Sequence, residues 1–284
     1  MSYTEYDIQN RVLEHYKIVE QQGYEVFFVA HQGSWNYGLG YEGSDVDTKA
    51  VILPNFEDIV YNREPKSYTK VLENDEHIDI KDIRVMFENF KKQNINFLEI
   101  LFSKYYVVND KYVDEFLTLR QNAEKIAHLN TNQAIRCMAG MSMEKLKALQ
   151  HPYPSLIDKI KKYGYDNKQL HHILRMNDFI KRYIKGECFE NCLIPTNPKY
   201  LLEIKKTFMP VEKAVLLAIE TDEDTKRIKE ENVLEEDKID KEAIDILNQV
   251  KFSVLKRKFK EDIEKNGWRW RFLVLVWSRP PNTR

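Results

Sequence analysis

Apolar positions in the first part of the chain follow first the spacing of a helix and then that of a strand. Ile8, Val12 and Ile18 recur at helical intervals, which predicts an amphipathic helix over residues 6–22. Residues 25–30 form a short apolar run rich in β-formers, which predicts a buried strand. The elements expected next are a helical turn at 35–39, strands at 45–53, 68–72, 77–81 and 105–108, and helices at 83–92 and 95–102.

Strand patterns end near residue 110, and only helical patterns follow. They cover residues 111–121, 131–150, 155–163, 167–185, 197–206, 210–220 and 240–264. We therefore predict an α+β fold, in which a small mixed sheet with flanking helices precedes an all-helical C-terminal subdomain. The expected division is a first domain over 1–120, a helical domain over 121–265 and an uncertain tail over 266–284, where a terminal strand is one interpretation.

Composition indicates a folded protein with a well-solvated surface, since 43% of the residues are hydrophobic and 31% are charged. Three cysteines give no paired spacing, so a disulfide framework is not expected. The N-terminus has neither a basic start nor an apolar run, and no segment approaches the ~20 apolar residues of a membrane span. A cytoplasmic protein without a membrane partner is expected.

The distribution of charge is uneven although the formal net charge is only -1, which excludes a uniformly basic nucleic-acid-binding coat. Residues 145–185 carry ten basic and three acidic side chains, whereas acids dominate over 220–242. Solvated helix faces are the ordinary interpretation of such runs. The alternative is that the basic stretch faces a polyphosphate or a nucleic acid.

Asp45 and Asp47 are candidate metal ligands. One residue separates them on a predicted strand, so both side chains are expected on the same face. Two carboxylates ~4 Å apart repel each other by about 4 kcal/mol at an effective dielectric constant of ~20. A divalent cation such as Mg²⁺ or Mn²⁺ would remove this repulsion, because both ions prefer carboxylate oxygen. Taken alone, however, an Asp-x-Asp pair is more often two exposed carboxylates.

The turn at Gly33 and Ser34 narrows the interpretation of that pair. Glycine lets the backbone approach an anion closely, and a following helical turn would direct N–H groups and a hydroxyl at a phosphate. An ordinary strand-to-helix turn is the alternative. A phosphate-binding turn and a carboxylate pair separated by a short loop together predict a site for a triphosphate and a metal ion.

Asp79 is the candidate for a third carboxylate. It stands between Ile78 and Ile80 on a separate predicted strand. If this strand neighbours the one that carries Asp45, Asp79 would complete a cluster that binds the metal nearest the acceptor. A carboxylate on the solvent face of the strand is the alternative. Rival acids close by are Asp75, Glu76 and Asp82, and Asp82 is also expected to cap the helix at 83–92.

Two neighbouring segments, GSWNYGL at 33–39 and GSDVDTKAV at 43–51, resemble the nucleotidyltransferase motif of the DNA polymerase β-like superfamily. They are most similar to a branch of bacterial and phage nucleotidyltransferases associated with RNA repair, in which glycine is usual at the position of Ala50. A second segment, GYDNKQLHHILR at 164–175, resembles a helix of that branch, with Asn167 in place of threonine. A third, LLEIKK at 201–206, resembles a later helix of the same proteins.

The second segment also carries a row of two cations and a titratable imidazole. Lys168, His172 and Arg175 are four and three residues apart, so they share one face of a helix. Such a row suits the phosphates of an NTP or of an acceptor. The alternative is a solvated face with Asp166 as the helix cap. His171 is expected to point elsewhere and to be structural.

The resemblance implies a transfer of a nucleoside monophosphate from an NTP to an acceptor hydroxyl, with release of pyrophosphate. It implies two Mg²⁺ (or Mn²⁺) ions held by Asp45, Asp47 and Asp79, with the nucleotide bound by Gly33, Ser34, Lys168, His172 and Arg175. The expected acceptor is an RNA end, including that of a tRNA. A small molecule or a protein hydroxyl as acceptor and a non-catalytic NTP- or nucleic-acid-binding scaffold stay open, as do the NTP and the oligomeric state.

Overall fold

A computed structural model describes residues 4–41 and 43–277, with side chains described as far as residue 265. Its strands are β1 (Glu25–His31), β2 (Thr48–Leu53), β3 (Ser67–Val71), β4 (His77–Asp82) and β5 (Tyr106–Val108). Its helices are α1 (Glu5–Gln21), α2 (Phe56–Val60), α3 (Ile83–Lys91), α4 (Ile95–Leu98), α5 (Val113–Gln121), α6 (Ala123–Ala127), α7 (Thr131–Ala148), α8 (Ile157–Tyr163), α9 (Asn167–Tyr183), α10 (Phe189–Leu193), α11 (Pro198–Lys206), α12 (Val211–Asn232) and α13 (Lys241–Trp277). The α+β class is confirmed.

The five strands form one mixed sheet in the order β3-β4-β2-β1-β5. β1 is antiparallel to both β2 and β5, whereas β2 and β4 are parallel. Alternate side chains of β2 enter two different cores: Ala50 and Ile52 pack with α1, and Val51 and Leu53 pack with α3. β2 is thus buried on both faces at the centre of the sheet.

Several ends of the predicted elements are confirmed by their caps. The side chain of Asp82 accepts a hydrogen bond from the backbone N–H of Arg84 and caps α3, as the sequence predicts. The side chain of Asp166 accepts from the N–H of Lys168 and caps α9 in the same way. These caps fix where β4 ends and where α9 begins, and both elements adjoin candidate site residues.

The helical part packs around α9, which contacts α7, α11 and α12. α13 instead returns to the N-terminal part and packs on α2, α3, α5 and α6. Lys258 of α13 is buried there, with its Nζ 3.2 Å from Asn55 Oδ1 and 3.5 Å from Glu25 Oε2. The largest core cluster includes Phe28 and Phe87 from one predicted domain and Phe179 from the other. The division at residue 120 therefore stays a prediction.

Two boundaries differ from expectation. β2 begins at Thr48, so Asp45 and Asp47 lie in the loop before the strand. The Asp47 carbonyl accepts a hydrogen bond from the N–H of Gln32, the residue after β1. The backbone of residues 266–277 continues α13, so a terminal strand is wrong for that segment, and residues 278–284 lie outside the described part.

No helix within the described ranges combines the length and apolar character that a bilayer crossing requires.

The end of α8 provides a test of the packing. Gly164 has φ 80° there, and a Cβ on it would lie 2.7 Å from Val211 Cγ2 of α12. We expect Gly164→Ala to lower the free energy of unfolding by about 1–3 kcal/mol, since strain and overpacking both act. Denaturant titration measures this. The control is Gly140→Ala within α7, where an added Cβ would meet no heavy atom within 4 Å outside the helix's own backbone. This variant should be neutral or stabilising by up to about 1 kcal/mol. Equal losses in both variants would contradict the packing at α8.

Candidate active site

A cavity of about 420 Å³ lies where the loops after β1 meet α9 and α11. The sheet side contributes Gly33, Ser34, Asp45 and Asp47 to its lining. The helical side contributes cationic and imidazole groups, which include Lys168 and Arg175 of α9 and Lys205 of α11. The structure therefore brings the two separately predicted parts of the site to one cavity.

The turn after β1 depends on the backbone conformation of Gly33. Gly33 has φ 101°, a value that side chains with a Cβ rarely adopt, and the short 3₁₀ helix Ser34–Tyr37 follows it directly. The backbone N–H of Asn36 donates to the Gly33 carbonyl at 3.0 Å, and the Asn36 side chain donates to the carbonyl of His31 at 2.9 Å. These bonds fix the position of the turn relative to β1.

Asp45 and Asp47 project from the loop before β2 on either side of the fully buried Val46. The backbone N–H of His77 donates to Asp47 Oδ1 at 2.8 Å, and the Asp47 carbonyl accepts from the N–H of Gln32 at 2.9 Å. Burial and then the negative charge of Asp47 raise the pKa of Asp45 above its ordinary value. The pair therefore repels, and its oxygen donors fit a divalent cation.

A buried network supports the start of β2 behind the pair. His15 lies 2.9 Å from the hydroxyl of Thr48 and 3.0 Å from Glu76 Oε2. Arg11 Nε donates to the same Glu76 oxygen at 3.0 Å. Burial alone would raise the pKa of Glu76, but the hydrogen bonds from His15 and Arg11 lower it to about 2. This rival acid is thus committed to a structural network.

Asp79 is on the strand beside β2, as the sequence predicts, but it is not among the described residues that line the cavity. In the parallel register Asp79 lies beside Lys49, and its carboxylate is 3.0 Å from Lys49 Nζ and 2.8 Å from Lys81 Nζ. Within the described residues no three His, Cys, Asp or Glu side chains form a group that could hold a metal ion. Asp45 and Asp47 thus line the cavity together, whereas Asp79 forms ion pairs with Lys49 and Lys81. The role of Asp79 as a metal ligand stays a prediction.

The row predicted on α9 lies along the cavity, since Lys168, His172 and Arg175 all line it, and its role in nucleotide binding stays a prediction. His171 lines it too, so the expectation that His171 points elsewhere is wrong. It is buried, and neither of its ring nitrogens has a hydrogen-bond partner in the described part of the chain. Burial and the charge of Arg175 lower the pKa of His171 to about 3, so the imidazole is neutral at neutral pH.

Glu99 and Lys205 are among the cavity residues that the sequence analysis did not assign to the site. Glu99, in the 3₁₀ turn Glu99–Leu101, is 3% exposed and lines the cavity close to Arg175. A single acid inside the apolar run at 97–102 was the signal that could have identified it. Lys205 is placed by Asn167, whose side-chain amide donates to the Lys205 carbonyl at 2.7 Å. The LLEIKK segment was recognised, but its lysine was not assigned to the site.

Charge is divided across the cavity. Asp45 and Asp47 lie on the side of the sheet, while Lys168, Arg175 and Lys205 approach from the helices. Arg175 is held by the ring of Tyr37, with its guanidinium carbon 4.1 Å from the ring centroid. Such a division suits a polyanionic ligand that also carries a divalent cation.

Comparison with known proteins agrees with this geometry. A search among curated proteins finds no match. The model of the RlaP family, described as an RNA repair pathway DNA polymerase beta family, matches residues 8–266. The matched segment includes the Gly33 turn, the carboxylate pair, the α9 row and the LLEIKK helix that together surround the cavity. The chain therefore belongs to the RlaP family, the RNA repair pathway DNA polymerase beta family.

Proposed function

We propose that this protein is a metal-dependent nucleotidyltransferase that moves a nucleoside monophosphate from an NTP to an acceptor hydroxyl and releases pyrophosphate. The observation that carries the proposal is one cavity in which a turn suited to phosphate, a carboxylate pair and the helix-borne cations Lys168 and Arg175 meet. Membership of a polymerase β-like family supports the same reaction class.

The chain's own residues bind and orient the triphosphate in this proposal. Gly33 and Ser34 offer a turn at which backbone and hydroxyl can approach phosphate oxygens. Lys168, His172 and Arg175 face the same space and supply donors for the distal phosphates. Because both the turn and α9 are anchored in packed elements, these groups are oriented before the ligand arrives.

Asp45 and Asp47 would hold Mg²⁺ or Mn²⁺, with two ions expected. The chemistry that such an ion would supply is neutralisation of the charge on the phosphoryl group and a lower pKa of the acceptor hydroxyl. The bond from His77 N–H fixes the orientation of the Asp47 carboxylate. The acceptor oxygen then attacks the α-phosphorus in line, the bond to the pyrophosphate oxygen breaks, and the hydroxyl proton leaves to solvent or a carboxylate.

An RNA end is the acceptor that we propose, in agreement with the description of the family. Tyr41 lines the cavity, and Lys205 and Lys206 lie over its ring at 4.9 and 4.2 Å. An aromatic ring beside lysines suits a single-stranded nucleic acid, whose bases stack while the phosphates meet cations. Small-molecule and protein hydroxyls and a non-catalytic scaffold are the alternatives, which the experiments below separate.

The basic stretch at 145–185 supports this acceptor only in part. Lys159, Lys168 and Arg175 line the cavity. Lys181 instead pairs with Asp224 at 2.5 Å, and Arg182 pairs with Glu187. Asp224 of α12 and Glu187, which follows α9, therefore neutralise two cations at the far end of the stretch, while Lys168 and Arg175 face the cavity.

The carboxylate pair is tested by Asp47→Asn. We expect the rate of nucleotide transfer to fall on the order of 10²-fold or more, because the anionic ligand of the metal is lost. Each labelled NTP is incubated with Mg²⁺ and a pool of RNA, protein or small-molecule acceptors, and incorporation is measured. The control is Asp245→Asn on the exposed face of α13, which should transfer at the parent rate. Parent-like transfer by Asp47→Asn would contradict the proposal.

The proposed ligand role of Asp79 is tested by Asp79→Asn. If Asp79 binds the acceptor-side metal, the variant should need on the order of tenfold more Mg²⁺ for half-maximal transfer. A Mg²⁺ titration of the transfer rate measures this. Asp82→Asn is the matched control, because Asp82 is also buried on β4 but bonds to Arg84. An unchanged Mg²⁺ requirement in Asp79→Asn would leave Asp79 with its ion pairs to Lys49 and Lys81 and no role in metal binding.

The RNA acceptor is tested by Lys206→Ala and Tyr41→Ala. We expect weaker binding of a single-stranded RNA oligonucleotide, and for Lys206→Ala a salt dependence of the affinity reduced by about one unit of logarithmic slope. Fluorescence anisotropy at several salt concentrations measures both quantities. Lys185→Ala is the control, since Lys185 belongs to the basic stretch but lies beyond the end of α9. Equal RNA affinity in all variants would point to another acceptor.

A further inference from the structure

A segment that contains α8 lies beside the cavity, and we call residues 150–163 the arm. Hydrogen bonds close its base: the backbone N–H of Asp166 donates to the carbonyl of Leu149 at 2.8 Å, and the Gln150 side chain donates to the carbonyl of Gly164 at 3.1 Å. None of the residues that the structure describes in α8 is buried. The arm therefore has a fixed base, while its helix adds nothing to the core, as in surface loops that serve binding.

The arm carries positive charge to the edge of the cavity. Its charged side chains are Lys159, Lys161 and Lys162 against the single acid Asp158. Lys159 lines the cavity and pairs with Asp166 at 3.0 Å. Lys161 and Lys162 are exposed beyond it. A ligand that leaves the cavity along the arm thus meets a surface of net positive charge.

The arm ends in a stack of aromatic rings. The half-buried rings of Tyr163 and Phe208 are nearly parallel, with an interplanar angle of 5° and centroids 3.5 Å apart. Lys162 Nζ lies 4.9 Å from the centroid of the Tyr163 ring. The same combination of ring and lysine is present at the cavity, where Lys206 Nζ lies 4.2 Å from the centroid of the Tyr41 ring. Two platforms of equal chemistry therefore follow one another.

The two platforms are held close together by the chain after α11. Phe208 is only two residues beyond Lys206, so their Cα atoms are at most about 7 Å apart. The side-chain amide of Asn167 donates to the carbonyls of Lys205 and Thr207, at 2.7 and 3.4 Å, and ties this segment to the start of α9. The path from the cavity to the arm is thus formed before a ligand binds, which lowers the ordering cost of binding.

We propose that the arm and Phe208 bind the acceptor RNA strand behind its reacting end, outside the cavity. The stack of Tyr163 and Phe208 receives a base, and Lys161 and Lys162 meet the phosphates that flank it. A base that stacks on Tyr163 displaces the ammonium of Lys162 from the ring and leaves it to a phosphate. The inference rests on the proposed function, because it places the reacting RNA end in the cavity.

Single-stranded RNA is the occupant that the surface fits best. Exposed lysines alone would suit any polyanion, and a duplex would meet them through its phosphates while its bases stay paired and stacked. An acidic protein segment would pair with the lysines but offers no base to the planar stack. Rings and lysines that alternate along one path match a strand in which bases and phosphates alternate.

The length of the RNA separates the arm from the cavity. Fluorescence anisotropy measures the affinity for single-stranded RNA of about four and about twelve nucleotides, since only the longer strand extends beyond the cavity. We expect Tyr163→Ala to bind the longer RNA about tenfold more weakly than the parent and the shorter RNA equally well. Tyr163→Phe keeps the ring and should bind both as the parent does. Tyr41→Ala should weaken the binding of both.

The lysines are tested by the double variant Lys161→Ala/Lys162→Ala, which leaves the aromatic stack intact. It should lower the salt dependence of the longer RNA by about 1.4 in logarithmic slope, because two phosphate contacts are lost. The control is Lys238→Ala, an exposed lysine between α12 and α13, which should bind both RNAs as the parent does.

The outcomes distinguish the arm from the acceptor. Parent affinity of both arm variants for the longer RNA, beside a loss in Tyr41→Ala, would overturn the inference and leave the RNA acceptor in place. An equal loss for the shorter RNA in the arm variants would also overturn it, since the substitutions would then act on the cavity. Absence of binding of either RNA by the parent would overturn the RNA acceptor itself, and with it this inference.

Discussion

The arrangement of the cavity depends on keeping two carboxylates close together against their repulsion. Asp45 and Asp47 achieve this through the backbone, because the intervening Val46 is buried in the core and the carbonyl of Asp47 bonds to the end of β1. The His15–Glu76 network then fixes Thr48, the first residue of β2. Covalent neighbours and buried hydrogen bonds thus oppose an electrostatic force that would otherwise separate the pair.

Contacts of α9 connect the two sides of the cavity. Arg175 packs on Tyr37, and Asn167 binds the carbonyl at Lys205, so α9 is tied both to the turn after β1 and to α11. A continuous core beneath these contacts includes residues from both predicted domains. The distance between the acids and the cations is therefore set by packing as well as by charge.

Local periodicity and motifs were sufficient to predict the α+β class, the Asp82 cap and the common face of Lys168, His172 and Arg175. These features depend on residues that are near one another in the chain. The ion pair of Asp79 with Lys49 depends on the register between β4 and β2, which no local pattern specifies. The positions of Glu99 and His171 at the cavity likewise depend on tertiary packing. Glu99 stands in an apolar run, and the helical spacing around His171 does not indicate which way its side chain points.

The return of α13 to the sheet side has a consequence for synthesis of the chain. Lys258 forms an ion pair with Glu25, and Arg257 donates a hydrogen bond to Glu115. Phe259 packs on Phe56. While the ribosome has made only the first half of the protein, Glu25 and Glu115 lack these partners and the surface beneath α13 is uncovered. The half that contains the sheet therefore reaches its final stability late in translation, when a segment more than 130 residues further along the chain has emerged.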